Sequence, residues 1–141
     1  MRLVFNTSVA LPNIFTEISS LTDRAIIALD EIEYDEVSAC VEIPLKRKEL
    51  IGYKQNWLRQ NNPVYGGNTI RSVLKIIKVT KMIVDVDDEI AAECNGRFTL
   101  LMGIKITDGE VHLSSVEESR GKLLCHVVIK ISDFDIELVD L

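Results

Sequence analysis

The stretch ITDGEVHL, Ile106 to Leu113, constrains the fold of this 141-residue chain more than any other. Asp108-Gly109 stands between two runs that alternate apolar and polar residues. An Asp-Gly pair in that setting predicts a two-residue β-hairpin turn, whose two central residues both need positive φ. A two-residue loop also fixes the register. Thr107 then faces Glu110, Ile106 faces Val111, Lys105 faces His112, and Ile104 faces Leu113. One side of the hairpin is wholly apolar, and the other carries Lys105, Thr107, Glu110 and His112.

The same period of two recurs along most of the chain. Val37, Ala39, Val41 and Ile43 alternate with Ser38, Cys40 and Glu42, the pattern of a half-buried strand. Residues 24–32 read in two ways. As a helix capped by Thr22 they place Ala25, Leu29 and Ile32 on one stripe. As a strand they pair with residues 37–45 across Tyr34-Asp35-Glu36. The strand is preferred, because Ile26-Ile27 is β-rich and the hairpin gives the backbone an immediate partner. Residues 70–87 are too long for one ordinary strand, which places a turn near Val79-Thr80-Lys81. A last hairpin sets Leu123, Cys125, Val127, Ile129 and Ile131 on one face, followed by Phe134, Ile136 and Leu138. ELIGYKQNWLRQ, from Glu49, reads as a short helix or a polar loop. The expected architecture is a single β-rich domain over residues 1–141. It is an antiparallel sandwich or partly open barrel of about nine short strands, with at most one short helix. An α+β fold on a long antiparallel sheet is the alternative.

Charge narrows the partners. Sixteen basic against 22 acidic residues give a net charge of −6, which repels phosphate backbones and anionic membranes unless cations cluster. The one dense basic run, Lys46-Arg47-Lys48, reads as a solvated strand end. Cys40, Cys94 and Cys125 are odd in number and widely spaced, so they form no disulfide framework. The opening MRLVFNTSVALPN lacks the apolar core of a secretory signal, and no apolar run approaches ~18 residues. These features set the expectation of a reduced, soluble, cytoplasmic protein that binds neither nucleic acid nor membrane.

Familiar catalytic and cofactor patterns fail on spacing. Gly66-Gly67-Asn68-Thr69 lacks the lysine of a phosphate-binding loop and is followed by strand-like alternation, not a helix. The acidic run from Asp85 to Glu89 has Ile90 and Gly96 where a calcium loop needs glycine and glutamate. No C-x-x-C or H-x-x-x-H spacing occurs, and His126 faces away from Cys125 if both lie on one strand. Cys125, between Leu123 and Val127 on the apolar face, reads as an inert core thiol. No cofactor or metal is therefore expected.

What remains is recognition. Trp57, Arg59 and Tyr65 are of the residue types enriched at binding hot spots; the first two precede the loop NNPVYGGNT and Tyr65 lies within it. Against this stands a packing role, with Trp57 capping the core and Tyr65 lying under the loop. The expected function is a non-catalytic protein-binding module. It would act through loop 54–69, a sheet edge or the acidic surface, and its open edges are compatible with a homo-oligomer. The alternative is a small-ligand binder or enzyme with a cavity in a curved sheet, for which His112, His126, Asp85 and Trp57 are the first candidates.

Overall fold

A computed structural model describes residues 2–6, 14–52, 64–89, 99–107, 109–117 and 122–141. In chain order these residues form β1 (Arg2–Asn6), α1 (Ile14–Leu21), β2 (Ala25–Ala28), a 3-10 turn (Leu29–Glu31), β3 (Glu33–Asp35) and β4 (Cys40–Leu50). There follow β5 (Tyr65–Ile76), β6 (Val79–Val86), β7 (Thr99–Thr107), β8 (Glu110–Glu117), β9 (Lys122–Ile131) and β10 (Asp135–Asp140).

All pairings are antiparallel and run along one path, β1-β10-β5-β4-β2-β7-β8-β9-β6, with β3 lying beside β4. The path divides at β7. Residues 99–102 pair with β2, whereas Gly103 to Thr107 pair with β8. One sheet therefore holds six strands, β1, β10, β5, β4, β2 and β3, and the other holds β7, β8, β9 and β6. The ends of the path, β1 and β6, do not meet, so the sheets form an open sandwich and not a closed barrel.

Strand parity explains the core. Phe5, Ile136, Ile76 and Val41 line up across β1, β10, β5 and β4, and each is fully buried. From the second sheet Ile104, Val111, Leu113, Val127 and Ile129 join the same apolar cluster. Helix α1 adds Ile18 and Leu21 to it. The predicted hairpin register is found at all four residue pairs, from Ile104↔Leu113 to Thr107↔Glu110. Gly109 has φ of +74° at its turn, a conformation that favours glycine because it has no Cβ to clash with the backbone.

Several expectations need correction. Val37 does not begin a strand; it is 98% exposed in the turn before β4, where Ala39 takes a φ of +54° and the strand starts at Cys40. Residues 24–32 contain the preferred strand, but only as far as Ala28; it pairs with β4 as expected, at Ile26↔Lys46 and Ile27↔Leu45, while β3 forms the tight hairpin onto the start of β4. Chain reversal after β5 falls at Ile77-Lys78, where Lys78 has φ of +61°, two residues before the expected turn. Among the described residues a helix lies at Ile14–Leu21; Glu49 and Leu50 end a strand, and residues 53–60 of the expected helix or polar loop lie outside the described residues. The last two strands are not a hairpin. β9 pairs with β8 and β6, while β10 crosses to the first sheet between β1 and β5.

Candidate functional site

The glycine stretch is not a loop over most of its length. Tyr65, Gly66, Gly67, Asn68 and Thr69 belong to β5, paired to β4 across a bulge between Lys48 and Leu50. The Glu49 carboxylate accepts a hydrogen bond from the Asn68 side chain at 3.1 Å. The same oxygen lies 2.9 Å from where a Cβ on Gly66 would stand. Gly66 thus accommodates a neighbouring side chain at an irregular strand end, whereas a Cβ at Gly67 would stand in open space. Tyr65 is half-buried against the core. Its hydroxyl donates to the Ser20 carbonyl at 2.9 Å, and Lys48 Nζ stands 5.9 Å from its ring centroid. Burial, with a smaller contribution from Asp23, raises the Tyr65 pKa. Trp57 and Arg59 lie outside the described residues.

The open end of the second sheet carries more chemistry. Among the described residues β6 is paired with no strand but β9, and apart from Val79, whose N–H donates to the Ala39 carbonyl at 2.9 Å, no described strand covers the other edge of this eight-residue strand. Ile83 and Val84 point to opposite faces and are 40% and 47% exposed. Natural edges of this length are usually blunted by charge, and here Lys81 and Asp85 flank an apolar Met82-Ile83-Val84 centre. Asp87, Asp88 and Glu89 continue the acidic end beyond the strand.

Beside this edge lie the two histidines, both on the outward face of the second sheet. The register places Ser114, His126 and Asp85 in one row across β8, β9 and β6, with Lys105, His112, Val128 and Ile83 in the next row from β7 to β6. His112 Nδ1 and His126 Nε2 are 3.0 Å apart. Their planes lie within 20° of each other and their centroids 5.2 Å apart. A centroid separation that large, with nitrogens that close, means the rings meet edge to edge through an N–H···N hydrogen bond. Glu110 Oε1 lies 3.4 Å from His112 Nε2. Among the described residues no three His, Cys, Asp or Glu side chains come together as a metal site would require. No side-chain hydrogen bond joins Ser114, His126 and Asp85, so their row is a matter of register and not a catalytic relay.

The basic run separates by parity into two structures. Arg47 points inward with Val41, Ile43 and Leu45 and is 3% exposed. Its guanidinium grips Asp140 through Nη2 at 3.0 Å and 2.9 Å, and Ser72 donates to the same carboxylate at 2.6 Å. Arg47 also donates to Ser72 and to the Lys48 carbonyl. Lys46 and Lys48 point outward. Lys46 stands directly opposite Arg71 on β5, next to a recess of about 350 Å³ lined by Ile26, Pro44, Lys46, Arg71, Leu141 and Glu31 among others. The two-sided fate of the run was legible in principle, since alternation along β4 sends its middle residue inward.

Cys125 is buried, and its thiol is pushed up to about 11, first by burial and then by the charge of Asp85. Cys40 is half-buried and its pKa is raised by burial and by Glu42. Neither thiol is activated for nucleophilic chemistry. Cys94 lies outside the described residues. No helix among the described residues is long and apolar enough to cross a membrane.

Comparisons with protein-family models, with curated proteins and with solved structures find no match.

Proposed function

We propose that this chain is a non-catalytic protein-binding module that takes up an extended segment of another protein along β6. The observation that carries this reading is the open β6 edge, with Ile83 and Val84 exposed on its two faces. Strand addition supplies main-chain hydrogen bonds for affinity, while side chains on alternate faces supply selectivity. The partner segment is apolar at its centre and basic where it passes Asp85, Asp87 and Asp88. A chain of net charge −6 steers such a partner toward itself.

A second reading has one observation in its favour. If two copies pair antiparallel about Ile83, Lys81 of each copy falls opposite Asp85 of the other, and Met82 falls opposite Val84. The edge is then self-complementary, and the product is a two-fold dimer with a continuous sheet.

The test compares tagged wild type with Ile83→Lys/Val84→Lys in affinity capture from native lysate, with amide hydrogen exchange on the purified complexes. Matching thermal melts establish that the variant folds. The proposal expects a stoichiometric partner that protects β6 amides and is lost with the variant. A partner retained by the variant, or β6 amides that exchange equally with and without it, would overturn the proposal. Capture of self-copies alone replaces it with the dimer.

A further inference from the structure

We infer that the outward face of the six-stranded sheet, at Lys46 and Arg71, is a second binding site that receives an extended acidic peptide segment from a partner protein. This site is separate from the β6 edge and does not depend on it.

Three observations converge on this face. The first is charge segregation. At one end of the face, Glu42 pairs with Lys75 at 3.9 Å, and Arg2 pairs with Glu137. At the other end Lys46 and Arg71 are direct cross-strand partners, and among the described residues neither forms an ion pair. Like charges placed opposite each other on a sheet oppose folding, and in a chain with six more acids than bases such a pair is not forced by composition. The second observation is shape. The recess of about 350 Å³ beside Lys46 and Arg71 adjoins one of about 390 Å³ lined by Arg24, Lys48 and Thr69, and both include Ile26 and Lys46. Together they form a trough whose lining includes the exposed apolar residues Ile26, at 38%, and Leu141, at 81%. Among the described side chains of the first recess, Glu31 alone is acidic.

The third observation is spacing. Lys46 and Lys48 lie two residues apart on the same face of β4, a separation of about 6.6 Å along a strand. Alternate carboxylates of an extended peptide repeat at the same interval. Residues between those carboxylates point away from the sheet, so the contact with Lys46 and Lys48 is made by the acidic side chains. A nucleic acid fits less well, because the rest of the surface repels a long polyanion. Beneath the trough Arg47 is already engaged by Asp140 and Ser72, so the anion-binding charge is that of the outward side chains.

The experiment titrates the protein into a short fluorescein-labelled peptide in which glutamates alternate with leucines, read by fluorescence anisotropy. The matched control replaces every glutamate with glutamine. We expect saturable binding of the acidic peptide that weakens with salt. Lys46→Gln and Arg71→Gln are each expected to weaken it about three- to fivefold, the upper part of the range of exposed charge pairs. Both residues are exposed, and unchanged thermal melts confirm that the variants fold. Ile83→Lys is expected to leave this binding unchanged, which separates this site from the β6 reading. Absence of binding by wild type up to about 1 mM, equal binding of the glutamine peptide, or wild-type affinity in the Lys46→Gln/Arg71→Gln double variant overturns the proposal. Equal or tighter binding of a single-stranded oligonucleotide of the same charge also overturns it, replacing the peptide with a general polyanion.

Discussion

Replacing Asp140 with alanine is expected to destabilise the fold by about 3–5 kcal/mol, the usual cost of stranding one member of a buried ion pair. The magnitude follows from what the substitution leaves behind. Arg47 is 3% exposed, and two of its contacts, at 3.0 Å and 2.9 Å, go to the Asp140 carboxylate. After the substitution it retains Ser72 and the Lys48 carbonyl, which are neutral acceptors unable to balance a guanidinium. Ser72 loses the acceptor it reaches at 2.6 Å. Urea unfolding followed by circular dichroism measures the change directly. For a chain of this size the melting temperature should fall by about 10–17 °C.

Arg47→Met is expected to cost less than Asp140→Ala. It removes the buried charge, puts an unbranched apolar side chain in the same space, and leaves a carboxylate that is 15% exposed and within reach of water. The Arg47→Met/Asp140→Ala double variant should lie well short of the sum of the single losses. A loss below about 1 kcal/mol for Asp140→Ala would refute the reasoning, because it would mean that the guanidinium finds solvent or another anion without cost.

Two further predictions rest on single residues. The fold holds the Cys125 thiol neutral up to about 11, so both folded and unfolded states keep the proton below the unfolded value. Above it the unfolded chain ionises first, and stability should decline as pH rises from 9 through about 11, by roughly 2–3 kcal/mol in total. Cys125→Ala should remove that part of the slope in urea melts at stepped pH, and a slope unchanged by the substitution contradicts the burial argument. Gly109→Ala places a Cβ at a φ of +74° and should cost about 1 kcal/mol. Gly103→Ala, with open space at its Cβ position and no positive φ, is the comparison; equal losses at the two glycines would show that the turn conformation is not the cause.

The sequence by itself determined the class of fold and the local geometry wherever one rule acted alone. Period-two alternation identifies most of the strands, and a two-residue Asp-Gly turn leaves the hairpin one register, so Ile104, Ile106, Val111 and Leu113 are buried as expected. Cys125 is buried among alternating apolar neighbours for the same reason. Local rules also reveal that Arg47 shares a face with Val41 and Ile43, once the strand is known to start at Cys40.

Tertiary structure decided which strands become neighbours. Sequence adjacency suggests that β9 and β10 form a hairpin, but β10 fills the place between β1 and β5, where Ile136 and Leu138 complete the apolar rows of the other sheet. That crossing also brings Asp140 to Arg47, 93 residues away in the chain, and the β4–β5 register sets Lys46 against Arg71. The meeting of His112 and His126 likewise depends on β8 and β9 pairing in a register that neither strand specifies alone. Periodicity determines which face a side chain takes, because it is a property of the backbone repeat. It carries no information about the strand that will lie alongside, because that choice is made by the packing of the whole core.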